Sequence, residues 1–274
     1  MINVYISADI DGVNNVVYPH QTVASGGESY YLALKQQHEE LNWIIEGLLE
    51  AGVDKITIND AHSTMENLHI SELNPKIELI SGKPKPISML SGLDSSYSCV
   101  LFTGYHVKAG SINGILPHTF SQIFNYIKLN GKLIGEIELN AVYTGMINIP
   151  VALITGDDIT CREAVNVLGN VKTVFTKTAI STTSAKCRPN EELFKELKLA
   201  AFETIKNPQS WVLYKENDPY TLEIEFSDRK LTDIAELLPG VEKISGSAVK
   251  FESTDYREVY KLLQFLSATL SARL

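Results

Sequence analysis

Cysteine is scarce in this chain. Cys99, Cys161 and Cys187 are odd in number and far apart. That argues against a disulfide framework and a structural zinc knuckle, and it fits a reducing, cytoplasmic setting. Basic residues are also in deficit: 24 Lys and Arg stand against 33 Asp and Glu, a formal net charge of −9. With no basic run, nucleic acid and anionic membranes are not expected partners. No apolar stretch approaches the length of a membrane span, and no basic segment opens the chain, so neither a transmembrane helix nor a signal peptide is expected. Internal repeats and low-complexity tracts are missing too. What remains is ordinary globular composition, 44% hydrophobic and 21% charged over 274 residues. That is enough for one large domain or two unequal ones.

The chain is organised around its opening stretch, Ile2 to Val13. Ile2, Val4, Ile6 and Ala8 alternate with Asn3, Tyr5 and Ser7, the period of a strand. Asp9 and Asp11 follow two apart, so extended backbone points both carboxylates to one side. Gly12 lets the chain turn beside them. Open α/β sheets place ligands at such carboxyl ends. The alternative is an Asp-Gly turn capped by a second Asp.

The polar loop Asn14 to Glu28 has the length of a lid or an oligomer contact. Leu34, Leu41, Ile44, Ile45, Leu48 and Leu49 then stripe a helix over 29–50, which Gly52 ends. A strand over 55–59 completes a β-α-β unit, the unit of a parallel sheet. Further strands are expected at 77–80, 98–103, 151–155 and 171–176, with helices over 136–146 and 158–168. Asn130-Gly131 marks a hairpin within 124–136. Beyond about residue 178 the pattern changes: a helix over 191–205, a strand over 220–226, a helix over 231–237, a strand over 241–251 and a helix over 254–270. The expected fold is α/β: a Rossmann-like, mostly parallel sheet over 1–180, with a second, smaller α+β domain over 181–274.

The chain has six histidines. His62, in Asn59-Asp60-Ala61-His62-Ser63, and His106, in Gly104-Tyr105-His106, each follow an expected strand of the sheet that carries Asp9. Glu136 opens a helix. Asp9, Asp11, His62, His106 and Glu136 make three carboxylates and two imidazoles, a donor set that suits zinc, with manganese or cobalt as alternatives. Three carboxylates exceed what one zinc site needs, whereas a bridged pair of metals uses them all. Each histidine alone reads equally as a cap or a core residue. Tyr105 and Asn140 read as residues that orient ligands or as core packing.

These motifs, SADIDG, NDAHS, GYH, PHT at Pro117 to Thr119, and Gly135-Glu136 followed by LNA, resemble in order and spacing the zinc D-aminopeptidases of bacterial dipeptide-transport operons. The resemblance extends to LISG at 79–82, KPxSM at 85–89 and GDD at 156–158. It implies a cytoplasmic two-zinc peptidase with metal ligands at Asp9, Asp11, His62, His106 and Glu136. His118 would be the nucleophile or the general acid/base. It implies a small peptide or amide substrate with a free N-terminal D-amino acid, and a ring-like homo-oligomer such as a decamer around an inner channel. Asp11 departs from the family's usual Glu, and Glu138 stands where the family tends to carry Gly. The loop after Gly12 also differs in composition, which bears on substrate preference. A rival reading takes Asp9 and Asp11 as nucleophile and acid/base of a magnesium-dependent phosphatase of the haloacid-dehalogenase type, with Gly156-Asp157-Asp158 holding the magnesium. It leaves all three site histidines and Glu136 without a role, and only Ser63 and Lys172 come near its further requirements. A non-catalytic binding protein on the same scaffold is the third reading.

Overall fold

The computed structural model describes residues 1–271; residues 272–274, the end of the expected second domain, lie outside the described residues. The first half runs β1 (Asn3–Ala8), α1 (Glu28–Glu50), β2 (Lys55–Asp60), β3 (Ile77–Ile80), β4 (Cys99–Thr103), β5 (Phe124–Leu129), β6 (Lys132–Leu133) and α2 (Glu136–Met146). The second runs β7 (Val151–Asp157), α3 (Asp158–Leu168), β8 (Lys172–Ser181), β9 (Ser184–Cys187), α4 (Asn190–Lys206), β10 (Tyr220–Phe226), α5 (Arg229–Ala235), β11 (Val241–Lys243), β12 (Ala248–Ser253) and α6 (Tyr256–Leu270). No described helix is long and apolar enough to cross a membrane.

A seven-stranded sheet has the order β3-β2-β1-β4-β7-β8-β9, parallel throughout except for β9. The alternation in β1 is real, but Tyr5 and Ser7 between its apolar positions do not face water. Val4, Ile6 and Ala8 pack under α1 and α4, while Tyr5 joins the core on the opposite face. Burial on both faces is what βαβ crossovers impose on a central parallel strand. The buried hydroxyls are satisfied: Tyr5 Oη donates to Ser91 O (2.8 Å) and Ser7 Oγ to Met89 O (2.8 Å).

A five-stranded antiparallel sheet, order β11-β12-β10-β5-β6, lies beyond that second face. It corrects the expected division at residue 180. The hairpin β5–β6 turns through Asn130 (φ 51°) and Gly131 (φ 79°), as its dipeptide requires. It then pairs with β10, Ile127 opposite Ile224 and Leu129 opposite Leu222, and so belongs with the C-terminal strands. Conversely, residues 181–206 stay with the first sheet. Ser181 to Ser184 is the turn of the β8–β9 hairpin, and α4 lays Leu193, Leu197, Ala200 and Ala201 against the core under α1. The expected strand over 241–251 is likewise two strands, β11 and β12, joined by a turn.

Candidate metal centre

Because β2, β1 and β4 are neighbours in parallel register, their carboxyl ends open side by side. Asp9 and Asp11 follow β1, His62 follows β2 and His106 follows β4. Two glycines permit the crowding there. A Cβ on Gly12 would stand 1.9 Å from Tyr105 O, and one on Gly104, which also has φ of +67°, would stand 2.1 Å from Asp9 O. The turn therefore needs glycine for close backbone approach. Glu136 enters as the first residue of α2 and His118 from the loop before β5.

All six expected site residues come together. His62 Nδ1 lies 2.9 Å from Asp9 Oδ1 and 3.1 Å from Asp11 Oδ2. His106 Nε2 lies 3.5 Å from Asp9 Oδ2 and 3.3 Å from Glu136 Oε1. His118 stacks on His106, centroids 3.9 Å apart and planes at 5°. Donor atoms cluster within 4.8 Å in three overlapping groups: Asp9-Asp11-His62, Asp9-His106-Glu136, and Asp11-His106-His118. Asp9 offers one oxygen to each of the first two.

The backbone sets the tautomer of each histidine. Carbonyl oxygens only accept, so the ring nitrogen facing one carries the proton. His62 Nε2 donates to Thr22 O (2.8 Å), His106 Nδ1 to Val107 O (3.0 Å) and His118 Nδ1 to Leu116 O (2.8 Å). The other nitrogen of each faces the cluster and is the one open to a metal, the arrangement by which metal-ligating imidazoles are held. Phe120 N–H similarly fixes Glu136 Oε1 (2.7 Å).

The electrostatics point the same way. Burial raises the Asp9 carboxyl, and Asp11 beside it adds to the effect. At Asp11 burial is outweighed by His62, then His118 and His106, and the carboxyl is held far below its usual range. Burial also opposes charge on His106, yet Glu136, Asp11 and Asp9 push it up to about 10; His62 is likewise raised, chiefly by Asp11. The cluster draws positive charge. Two of its atoms, Asp11 Oδ2 and His106 Nε2, are buried without a hydrogen-bond partner. Buried polar atoms of native proteins are seldom left so, and a divalent cation with N and O ligands satisfies both. The donor set fits zinc.

Four residues that support the site were assigned no role from the sequence, although Lys85 and Asp60 lie within its motifs. Lys177 on β8 is fully buried, and its Nζ donates to Asp11 O (2.8 Å), Val13 O (2.7 Å) and Val16 O (2.5 Å), while Thr176 Oγ1 donates to Gly12 O (2.6 Å). Lys85 Nζ donates to Asn59 Oδ1 and Asp60 O, both 2.7 Å. Asp60 accepts from Asn67 N and Leu68 N and so shapes the loop that carries His62. A lysine buried in a polar chain of 24 Lys and Arg is marked by nothing local. Tyr105 and Asn140 form instead a buried relay, Ser7–Tyr105–Asn140–Tyr260, with contacts of 2.7–2.8 Å. Neither side chain hydrogen-bonds a residue of the cluster.

The centre floors a cavity of about 680 Å³, walled by Pro19, His20, Thr22, Val23, Lys83, Met89 and the end of α6. Loop 14–28 folds as two short 3-10 turns, Pro19–Thr22 and Ala24–Gly26, and its Thr22 carbonyl reaches His62. The phosphatase pattern fares otherwise. Asp157 caps α3, accepting from Thr160 N (2.7 Å) and Ile115 N (2.6 Å), and Asp158 pairs with Arg162. Lys172 is committed to Glu203 at 2.8 Å.

A parallel α/β sheet with a carboxylate–imidazole cluster at its carboxyl ends defines an α/β protein with a candidate two-metal hydrolytic centre. The sequence profile of the D-aminopeptidase family matches residues 2–265. The chain is 32% identical over 264 residues to a D-aminopeptidase of Bacillus subtilis strain 168, covering 96% of this chain and 95% of that one. Its fold superposes with a TM-score of 0.94 on the zinc-dependent D-aminopeptidase DppA from Bacillus subtilis, a self-compartmentalizing protease, at 30% identity over 100% of this chain and 99% of that one. The chain belongs to the D-aminopeptidase family. It is accordingly a hydrolase of the aminopeptidase class. The phosphatase and non-catalytic readings find no support among these relatives.

Proposed function

We propose that this chain is a two-zinc aminopeptidase that removes an N-terminal D-amino acid from short peptides or amides. The observation that carries this reading is the double role of Asp9, whose Oδ1 faces His62 while Oδ2 faces His106. One zinc is assigned to Asp9, Asp11 and His62, the other to Asp9, His106 and Glu136. Zinc held by these residues would supply a Lewis acid for the scissile carbonyl and would lower the pKa of an attacking water toward neutrality.

His118 stands outside this ligand set in the proposal. Its Nδ1–H is held by Leu116 O, so Nε2 takes a proton from the attacking water and returns it to the leaving amine. Stacking on His106 holds the ring against the centre. Asp11 is one methylene shorter than the family's Glu. The Lys177 grip on its backbone carbonyl keeps the shorter carboxylate within reach of His62.

DppA is described as self-compartmentalizing; we extend this to a cytoplasmic, ring-like homo-oligomer here. The exposed side chains of Tyr31, Leu32 and Ile112 supply apolar surface for subunit contacts. Sedimentation velocity tests the size, a decamer being the family expectation.

The function is tested by elemental analysis together with a paired assay. More than one equivalent of zinc per chain is expected, and His62→Ala and His106→Ala each abolish turnover of a D-alanyl peptide and lower zinc content. Magnesium-dependent phosphate-ester hydrolysis that survives both changes would reverse the assignment.

A further inference from the structure

The cavity over the metal centre is charged unevenly. Its floor carries Asp9, Asp11 and Glu136, yet a single Lys or Arg lines it among the described residues, Lys83. Lys83 lies in the loop after β3, and its Nζ donates to Ser63 O (3.2 Å). That tether draws the ammonium to the residue that follows His62, on the wall of the cavity. An ammonium has three donors, so two remain for a ligand. Ser63 presents its carbonyl from a backbone with φ of +50°. A non-glycine residue seldom adopts that conformation unless its surroundings hold it there.

A short peptide that binds with its amino end at the metal centre carries its carboxylate at the other end. Extended chain spans about 3.3–3.6 Å per residue. Lys83 Nζ is hydrogen-bonded one residue from His62, so it stands within about the length of a di- or tripeptide from the carboxylates. Met89, Leu116 and Phe120 add apolar lining, and no second Lys or Arg among the described residues is offered to that terminus.

We propose that Lys83 binds the free C-terminal carboxylate of the substrate, which makes this site selective for di- and tripeptide acids over the corresponding amides or longer chains. The proposal rests on the peptidase reading above and adds a specificity-determining residue to it.

The test compares zinc-loaded wild type, Lys83→Met and Lys83→Arg on a D-alanyl dipeptide with a free carboxylate and on the same dipeptide as its C-terminal amide. Wild type is expected to favour the acid. Lys83→Met should lose about tenfold to a hundredfold in kcat/KM on the acid, the range of one charge-assisted hydrogen bond, mostly through KM. Turnover of the amide and zinc content should change less than about twofold, and Lys83→Arg should keep most of the preference. Calorimetric binding of a non-cleavable analogue, its peptide bond replaced by a methyleneamine, gives the same acid-to-amide comparison without turnover. Equal losses on acid and amide, or no preference in wild type by either measure, overturn the proposal. A binding preference that vanishes in Lys83→Met while wild type cleaves neither peptide sustains Lys83 as the carboxylate anchor and refutes the peptidase reading instead.

Discussion

Lys177→Met tests how the acidic turn is held. Lys177 is fully buried, and burial brings its pKa down to about 8 against the opposing pull of Asp157, Glu40 and Asp11. It is therefore still mostly charged at neutral pH. Methionine keeps the length and the apolar stem but removes every donor. Val13 O retains a bond from Val16 N at 3.2 Å, whereas Asp11 O and Val16 O have no second partner among the described residues. Each buried acceptor left unpaired costs about 1–3 kcal/mol, so two cost about 2–6 kcal/mol. Relief from burying a charge offsets part of this. A net loss of about 3 kcal/mol, with an unfolding entropy near 2.1 cal/mol/K per residue over 274 residues, lowers Tm by about 5 °C. The loss also reaches the site. With its carbonyl free, Asp11 no longer has a fixed position, and zinc affinity should fall about tenfold to a hundredfold, as when a ligand's supporting hydrogen bonds are removed. Thermal unfolding with and without a chelator, alongside a competitive zinc titration, measures both. A variant whose stability stays within about 0.5 kcal/mol of wild type, the range of a neutral surface change, and whose zinc affinity is unchanged would refute the idea that β8 holds the turn.

Three other outcomes follow from the geometry. His118→Ala should lower kcat by about 10²–10⁴ while zinc stoichiometry stays at the wild-type value; zinc lost with activity would make His118 a ligand. Asp9→Ala should lose both metal equivalents because its two oxygens serve both groups, whereas Asp11→Ala should lose one and Asp11→Glu none, all read by elemental analysis. Glu40 is buried beside the turn, where it accepts from Asn14 N, and burial pushes its pKa up from 4.5 to about 7. Below pH 4.5 both states are protonated; between pH 4.5 and 7 the folded state keeps a proton that the unfolded chain has lost, so stability falls as pH rises. Glu40→Gln keeps the acceptor and removes the charge. It should stabilise the fold at pH 8 by up to about 3 kcal/mol and by nothing near pH 4, which a pH series of unfolding curves would check.

Much of this protein was legible residue by residue. Strand period, the Asn130-Gly131 turn and the stripe of α1 are local signals, because side-chain direction repeats with the backbone geometry that produces it. The candidate ligand set was legible for a related reason. Asp9, His62 and His106 each lie just past the end of a strand, and strands of a parallel sheet deliver their carboxyl ends to one edge. Local patterning also named the correct edges of α2 and α3, where Glu136 and Asp158 begin the helices.

What the chain pairs with over long distances was decided only in three dimensions. Nothing in β5 says that its partner is β10, whose paired residues lie 93–102 positions further along, since an apolar alternation fits any strand of like pattern. The same holds for β9 and α4, which return to the first sheet after a stretch that reads as a boundary. It holds most of all for Lys177. By itself the residue is one lysine among many; inside the fold it is the one cation that gathers the carbonyls of Asp11, Val13 and Val16, over 160 residues away in sequence. Sequence determined which side chains could bind metal, because that is a property of their chemistry. Only the tertiary structure decided which groups hold them in place, because a buried charge is tolerated just where distant backbone arrives to satisfy it.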